Sequence, residues 1–362
     1  MNFFYKVIKT IITIIFYLFD SFIFLLSKIF FRQKIINKTL LVNLGALGDS
    51  ILFLNIVIQL NEDHDICALI DSRSEILFDK DDKIDYYHIN SKKYLTNIFY
   101  RTRTNLHFSR FKYDKVVNLR GSRNGIYEDS IIRFIGGKKY ALLSDYNSNS
   151  KISLKIFDYF NYDYLIQFNP DQKIHELERF NILINKVFEK KISLRLINLS
   201  VYFKKILKEK LIIEKYFLLN VGAGKNFRKW NINKFIEIGN FLEKNLNLIP
   251  VYCGQKNDRQ KIENSQQKMS VNSINLCGQT SVEELINLIN FSYLNICNDS
   301  ANAHISISLN KQTICIKSKF HQNRFIPYPK SLSIQSLKVL SSEDINDISV
   351  RDVIQLISFN RN

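Results

Sequence analysis

Leu294-Asn-Ile-Cys-Asn-Asp-Ser-Ala-Asn-Ala-His304 carries the strongest structural signal in the chain. An apolar run stops at Asn298-Asp299-Ser300, and a helix-compatible run, Ala303 to Leu309, begins at once. A strand that feeds directly into a helix leaves the helix's first N–H groups without intrahelical partners. Those groups and the positive end of the helix dipole together suit a phosphate. Asp299 and Ser300 are of the residue types that cap helices. His304 lies one turn inside and is placed to face the same ligand.

Working outward, the same pattern repeats. Tyr216-Phe-Leu-Leu-Asn-Val221 reads as a buried strand and runs into Gly222-Ala-Gly224 and a basic, aromatic loop, Lys225–Trp230. A helix over Asn233–Lys244, strands over Leu248–Cys253 and Ile274–Leu276, a helix over Val282–Asn290, and strands over Tyr293–Cys297 and Thr313–Ile316 follow. Towards the N-terminus, Thr39–Leu44 is a short strand, Gly45-Ala-Leu-Gly48-Asp49 a tight turn, and Ser50–Leu60 a helix. Further strands are expected at Ile66–Ile70 and Lys115–Leu119. Between about 75 and 165, charged and aromatic residues mix without a clear period. Strands alternating with helices imply parallel sheets with ligands at the carboxyl ends of the strands. The natural architecture is two α/β halves meeting across a cleft, with Asn198–Lys215 containing the linker. A last helix, about Ser349–Ser358, is expected to pack back across both.

Composition narrows the function classes. The 362 residues are 46% hydrophobic with few glycines and prolines, as in a packed globular protein. The net charge of +17 comes from lysines spread along the whole chain, often beside Asn and Ile, so it does not single out nucleic acid. A basic surface suits anionic lipid or a phosphorylated glycolipid equally well. The five cysteines are odd in number and form no C-x-x-C pair, which points to a reducing compartment without a disulfide framework. The six histidines show no H-x-x-x-H or H-E-x-x-H spacing, so no metal is expected.

Residues 3–31 are dominated by Phe, Ile and Leu, with basic residues at Lys6, Lys9, Lys28, Arg32, Lys34 and Lys38. Lys6, Thr10, Thr13, Tyr17, Asp20 and Ser27 recur at steps of three, four and seven, a single stripe on a helix. Asp20 in a bilayer centre costs roughly 2.5–3.5 kcal/mol. That favours a helix lying in the membrane interface, or docked by its polar stripe on its own protein, over a clean span. Phe30-Phe31-Arg32-Gln33 is a poor signal-peptidase site.

Three segments, in order and spacing, resemble glycosyltransferase family 9, the heptosyltransferase-like enzymes of bacterial lipopolysaccharide and surface-glycan assembly. They are Leu41-Val-Asn-Leu-Gly-Ala-Leu-Gly-Asp49, Asn220-Val-Gly-Ala-Gly through Phe-Arg-Lys-Trp230, and Leu276-Cys-Gly-Gln-Thr-Ser-Val-Glu-Glu-Leu285 leading to Asn298-Asp-Ser-Ala-Asn-Ala-His304. The resemblance spans roughly 39–316 and is dense only in the C-terminal half.

It implies a GT-B fold: two Rossmann-like domains facing a cleft, here behind an apolar N-terminal helix. The segments are then 1–37 for the membrane-associating helix, 38–205 for the acceptor domain, 206–340 for the nucleotide-sugar donor domain and 341–362 for the C-terminal helix. It also implies an inverting, metal-independent transfer, without a cofactor, from a nucleotide sugar such as ADP-heptose to a lipopolysaccharide-core or other glycolipid acceptor. The setting would be peripheral, at the cytoplasmic face of the bacterial inner membrane. Nucleic acid is not an expected partner.

By position, Asp49 matches the family's general base, flanked by Gly45 and Gly48. Arg228 and Lys229 match the basic pair ahead of the Trp, one of them serving the departing diphosphate. Gly222, Gly224, Gly254, Asp299, Ser300, Ala301 and His304 match the donor site, and Asp258 is a candidate for the ribose. The chain departs from the family where Ala301-Asn302 replaces Gly-Pro and Asn231 replaces the Pro after Trp230. A non-catalytic, membrane-associated sugar-nucleotide-binding scaffold of the same fold is the alternative.

Overall fold

The computed structural model describes residues 3–79, 84–121, 123, 125–143, 158, 160–167, 174–192, 195–204, 206–207, 210–212, 214–265, 269, 272–319 and 324–357. The chain divides into two compact units, Met1–Gln172 with Glu176–Leu194, and Lys173–His175 with Arg195–Asn362.

The first unit is built on six strands: β1 (Lys34–Asn43), β2 (Ile66–Asp71), β3 (Asp85–Ile89), β4 (Phe111–Asn118), β5 (Gly136–Leu142) and β6 (Tyr164–Ile166). They pair in the order β3-β2-β1-β4-β5-β6, all parallel. The second has β7 (Tyr216–Asn220), β8 (Ile249–Cys253), β9 (Ile274–Asn275), β10 (Asn295–Asn298), β11 (Thr313–Ser318) and β12 (Leu337–Ser342). Its order is β12-β11-β10-β7-β8-β9, again all parallel. Counted within each unit, both orders are the doubly wound 3-2-1-4-5-6. The reversal falls between β1 and β4 in one unit and between β7 and β10 in the other, and ligands of such sheets sit at this point.

The central strands are uninterrupted buried runs such as Phe217-Leu-Leu and Thr313-Ile-Cys-Ile, as sheets covered on both faces require. Local signals set the helix ends. Ser281 and Glu284 close a capping box on Val282–Phe291, and Asn247 ends Ile232–Leu246 in the left-handed conformation. The final helix, Val350–Leu356, starts from the Ser349–Asp352 capping box and packs on Ile232–Leu246 and β12 of its own unit. Ser358 lies outside the described residues. All five cysteines are buried and free, filling space as small hydrophobes.

The N-terminal helix, Phe3–Phe30, belongs to the first unit and is docked there by its polar side. Asp20 is 2% exposed. It accepts from Arg101 Nε at 2.9 Å, from Asn105 Nδ2 at 3.2 Å and from Ser130 Oγ at 2.5 Å, and also pairs with Arg101 Nη2. Arg133 donates to Ser21 Oγ at 2.7 Å and covers the Tyr17 ring. Asp20 therefore meets a buried guanidinium, and the stripe from Tyr17 to Ser27 faces protein. The side chains of Lys6, Lys9 and Thr10 lie outside the described part.

Candidate active site

In the first unit the site forms where β1 gives way to the helix Leu47–Asn61. Ala46 is the N-cap, so the helix begins three residues earlier than the sequence suggests and Asp49 lies in its first turn. Asp49 Oδ2 accepts from Ala46 N at 3.1 Å, and its side chain is 22% exposed. From the end of β4, Arg120 Nη1 stands 3.9 Å from Asp49 Oδ2 and 3.5 Å from the buried Glu128. One oxygen of a partly open carboxylate thus closes the helix start, while a guanidinium faces it.

Gly45 has a steric reason. A Cβ there would fall 2.6 Å from Asp49 Oδ2 and 2.7 Å from Asn43 Oδ1, whose oxygen takes the Gly45 N–H. Its missing side chain makes room for Asp49 itself. Gly45→Ala is expected to push the carboxylate aside and slow transfer by about 10²-fold. Steady-state kinetics would show this, with the far-UV circular dichroism spectrum unchanged. Gly48 is the second residue of the helix.

In the second unit the loops after β7, β8 and β10 converge. A Cβ on Gly222 would sit 3.2 Å from the Gly254 Cα and 3.3 Å from Asp258 Oδ2, and one on Gly254 would meet Val221 at 3.0 Å. This glycine pair lets the two loops pass with the Asp258 carboxylate between them. Both Asp258 oxygens are engaged: Oδ2 accepts from Gln255 N at 3.0 Å and Oδ1 from Lys229 Nζ at 2.6 Å. It caps the helix Lys256–Glu263 and anchors Lys229. Gly224 is exposed, with open space where a Cβ would be.

Trp230 packs, as its apolar body demands. Its ring is buried edge-on against Phe235, Nε1 donates to Ile348 O at 2.9 Å, and its backbone N donates to Asn298 Oδ1 at 2.9 Å. With Lys229 on Asp258 and Lys225 exposed over the Phe227 ring, Arg228 is the loop cation with a buried nitrogen. Its buried Nε has no hydrogen-bond partner among the described residues, and its charge is felt at Lys317 on β11.

Asp299 follows β10, and Ser300 is the backbone N-cap of the helix Ala301–Ser308. Here the structure corrects the capping expectation for serine. Ser300 is extended (φ −154°, ψ 178°), but its buried hydroxyl makes no cap bond and has no hydrogen-bond partner among the described residues. A side chain that does not cap leaves the helix's leading N–H groups to other acceptors. Ala301 is the first helical residue and is not among the positive-φ positions, so replacing a glycine there strains nothing. Asn302 ties the helix to β7, donating to Asn220 Oδ1 at 2.9 Å.

His304 is buried, with Nδ1 2.8 Å from the Tyr328 hydroxyl. Tyr328 is also covered by the ring of His175, whose Nε2 lies 2.5 Å from Phe325 O. Burial holds the His175 pKa down to about 3, with His304 adding to the effect. His175 is therefore neutral when folded and protonated below about pH 6.5 when unfolded. Stability from this group is complete above about pH 6.5 and is lost as pH falls towards 3. Urea titrations of wild type and His175→Leu should show the wild type losing more stability between pH 6.5 and 5.

A family model, glycosyltransferase family 9 (heptosyltransferase), matches residues 151–349. The chain belongs to glycosyltransferase family 9. It is a glycosyltransferase of GT-B fold class, its α/β units accompanied by an apolar N-terminal helix. Among solved structures it is similar to a family 9 glycosyl transferase from Veillonella parvula, at 16% identity and TM-score 0.70, covering 90% of this chain and 97% of that one. It is also similar to the E. coli heptosyltransferase WaaC solved with ADP, at 12% identity and TM-score 0.68, covering 88% and 98%. The E. coli ADP-heptose lps heptosyltransferase II matches at 14% and 0.68, covering 88% and 96%. No curated protein matches the sequence.

In this family 9 glycosyltransferase the structure gathers Gly222, Gly254, Lys229 and Asp258 in one cluster. Asp299, Ser300, Ala301 and His304 lie along one strand–helix junction, and Asp49, Gly45 and Gly48 along another. Lys317, Tyr328, His175 and Arg120 carry no local signal in the sequence, and Asn298 is marked there only as the end of an apolar run. Lys317 is 2% exposed and donates to Ile326 O at 2.5 Å. Burial lowers its pKa, Asp299 and Cys315 hold it up, and Arg228 lowers it further. Asn298 also donates to Val221 O at 2.9 Å, so one amide joins the ends of β7 and β10. Buried asparagines recur at the ends of β1, β4, β7 and β10, a signal visible in Asn43, Asn118, Asn220 and Asn298.

Proposed function

We propose that this glycosyltransferase transfers a sugar from a nucleoside-diphosphate donor to a lipopolysaccharide-type or lipid-linked glycan acceptor. In this reading the transfer inverts the anomeric centre and needs no metal, and it takes place at the cytoplasmic face of a bacterial inner membrane. The observation that carries it is the second unit's junction: a helix start where the buried Ser300 hydroxyl makes no cap bond, and an Arg228 whose charge, like that of Asp299, is felt at Lys317 and whose buried Nε has no hydrogen-bond partner among the described residues. Such a junction suits a diphosphate. ADP in the WaaC structure and ADP-heptose in the name of heptosyltransferase II make heptose carried on ADP the first donor to try.

Asp49 takes the proton of the acceptor hydroxyl, and that oxygen bonds to the anomeric carbon as the bond to the β-phosphate oxygen breaks. Arg228 and the leading N–H groups of Ala301–Ser308 meet the charge developing on the leaving diphosphate. Lys229 acts at one remove, by holding Asp258. Asp299, His304, Gly222, Gly224 and Gly254 line the donor.

Thermal shift with ADP, GDP, UDP, CDP and dTDP tests the donor side. A ligand at 100 times its dissociation constant adds about 2.7 kcal/mol. The expected outcome is a selective response to ADP and, with ADP-heptose and a glycolipid acceptor, transfer insensitive to EDTA. Selectivity for another base reassigns the sugar. Absence of binding by any diphosphate or sugar nucleotide would sink the reading.

A further inference from the structure

We infer that the N-terminal helix is an in-plane anchor, embedded lengthwise in one leaflet of an anionic bilayer and held flat by the Asp20–Arg101 ion pair. This rests on the membrane setting proposed above and specifies how the contact is made. The helix is long and apolar enough to cross a bilayer, with a mean hydropathy of 1.9 over Ile11–Phe30. Two observations argue against a span.

The first is where its polar groups go. Asp20 is sealed against Arg101, Asn105 and Ser130, and Ser21 and Tyr17 against Arg133. All four partners belong to the globular body of the unit. Turning the helix across a bilayer would strip the buried Arg101 of its carboxylate and carry Asp20 into hydrocarbon, two charges separated in low dielectric. The second is the opposite face. Ile11, Ile15, Leu18, Phe22, Leu25 and Ile29 are each more than half exposed. They fall within one sector of the helix, diametrically opposed to Asp20 and Ser27, and extend for about 27 Å at the helical rise.

Charge identifies the occupant. Residues 1–38 hold six basic side chains and a single acidic one; that acid is neutralised inside by Arg101, and of the six cations Lys38 is paired with Asp85. Lys28, Arg32 and Lys34 are exposed beside the apolar ridge. An apolar ridge bordered by exposed cations complements acyl chains beneath anionic headgroups.

Flotation of the full-length chain with phosphatidylcholine vesicles, with and without phosphatidylglycerol, is the test. Strong binding to the anionic vesicles, weakened by salt, is expected. Leu18→Glu/Leu25→Glu should reduce partitioning at least about a hundredfold while leaving the nucleotide-induced thermal shift unchanged. An epitope placed before Met1 should stay open to protease added outside the vesicles. A protected epitope would mean a span, overturning the in-plane anchor while leaving the membrane location intact. Undiminished flotation of the double variant would overturn it as well. A lipid-free dimer that the double variant dissolves would assign the ridge to a second copy. Failure to float at all would remove the membrane location too.

Discussion

Asp49→Asn is expected to leave nucleotide affinity unchanged and to lower the transfer rate by about 10²–10⁴-fold, the range spanned by general-base contributions. Geometry makes the substitution clean. Asparagine keeps the shape and an oxygen able to accept from Ala46 N, now 3.1 Å from Asp49 Oδ2, so the start of the helix should survive. It loses the basicity and the charge facing Arg120. Single-turnover transfer, read beside ADP titration, separates the two effects. Transfer at the wild-type rate would remove Asp49 from the chemistry and leave it a helix cap.

The second large effect concerns the basic pair. Arg228→Ala should lower kcat/KM by about 10²–10³-fold, as loss of a group that stabilises developing charge does. Arg228→Lys should recover part of it, since a point charge remains while the planar fork is gone. Lys229→Ala should act through the fold. It abandons the Asp258 carboxylate, whose side chain is 3% exposed, without its cation. An orphaned buried charge costs about 3–5 kcal/mol, so Tm should fall. Transfer lost in Lys229→Ala at an unchanged Tm, with Arg228→Ala fully active, would exchange the two roles.

Much of the second unit could be read directly. Its strands are short with apolar centres, so the elements expected between Tyr216 and Ile316 appear to within a few residues, whereas the helix Lys256–Glu263, polar but for Ile262, carries no apolar period and was not expected. The first unit was legible through β1, β2 and β4 and, apart from β4, obscure between 75 and 165. Strands β3 and β5 run there as Asp-Tyr-Tyr-His-Ile and Gly-Gly-Lys-Lys-Tyr-Ala-Leu. Their faces are only partly buried, so neither an unbroken apolar run nor a clean alternation marks them.

Local grammar carried the rest: strand-to-helix junctions at Asp49 and Asp299, glycines where chains crowd, and one polar stripe on an apolar helix. These follow from backbone sterics and from the period of burial, which act over a few residues. Assigning partners required the folded chain. Lys229 is taken by Asp258, 29 residues on, His304 by Tyr328, 24 residues on, and Asp20 by Arg101, 81 residues on. Such pairings depend on which strands the sheet makes adjacent, and no local pattern encodes that adjacency. For the same reason the pairing that sets Lys229 apart from Arg228, and makes Arg228 the cation proposed for the diphosphate, is visible only with the Asp258 carboxylate in place.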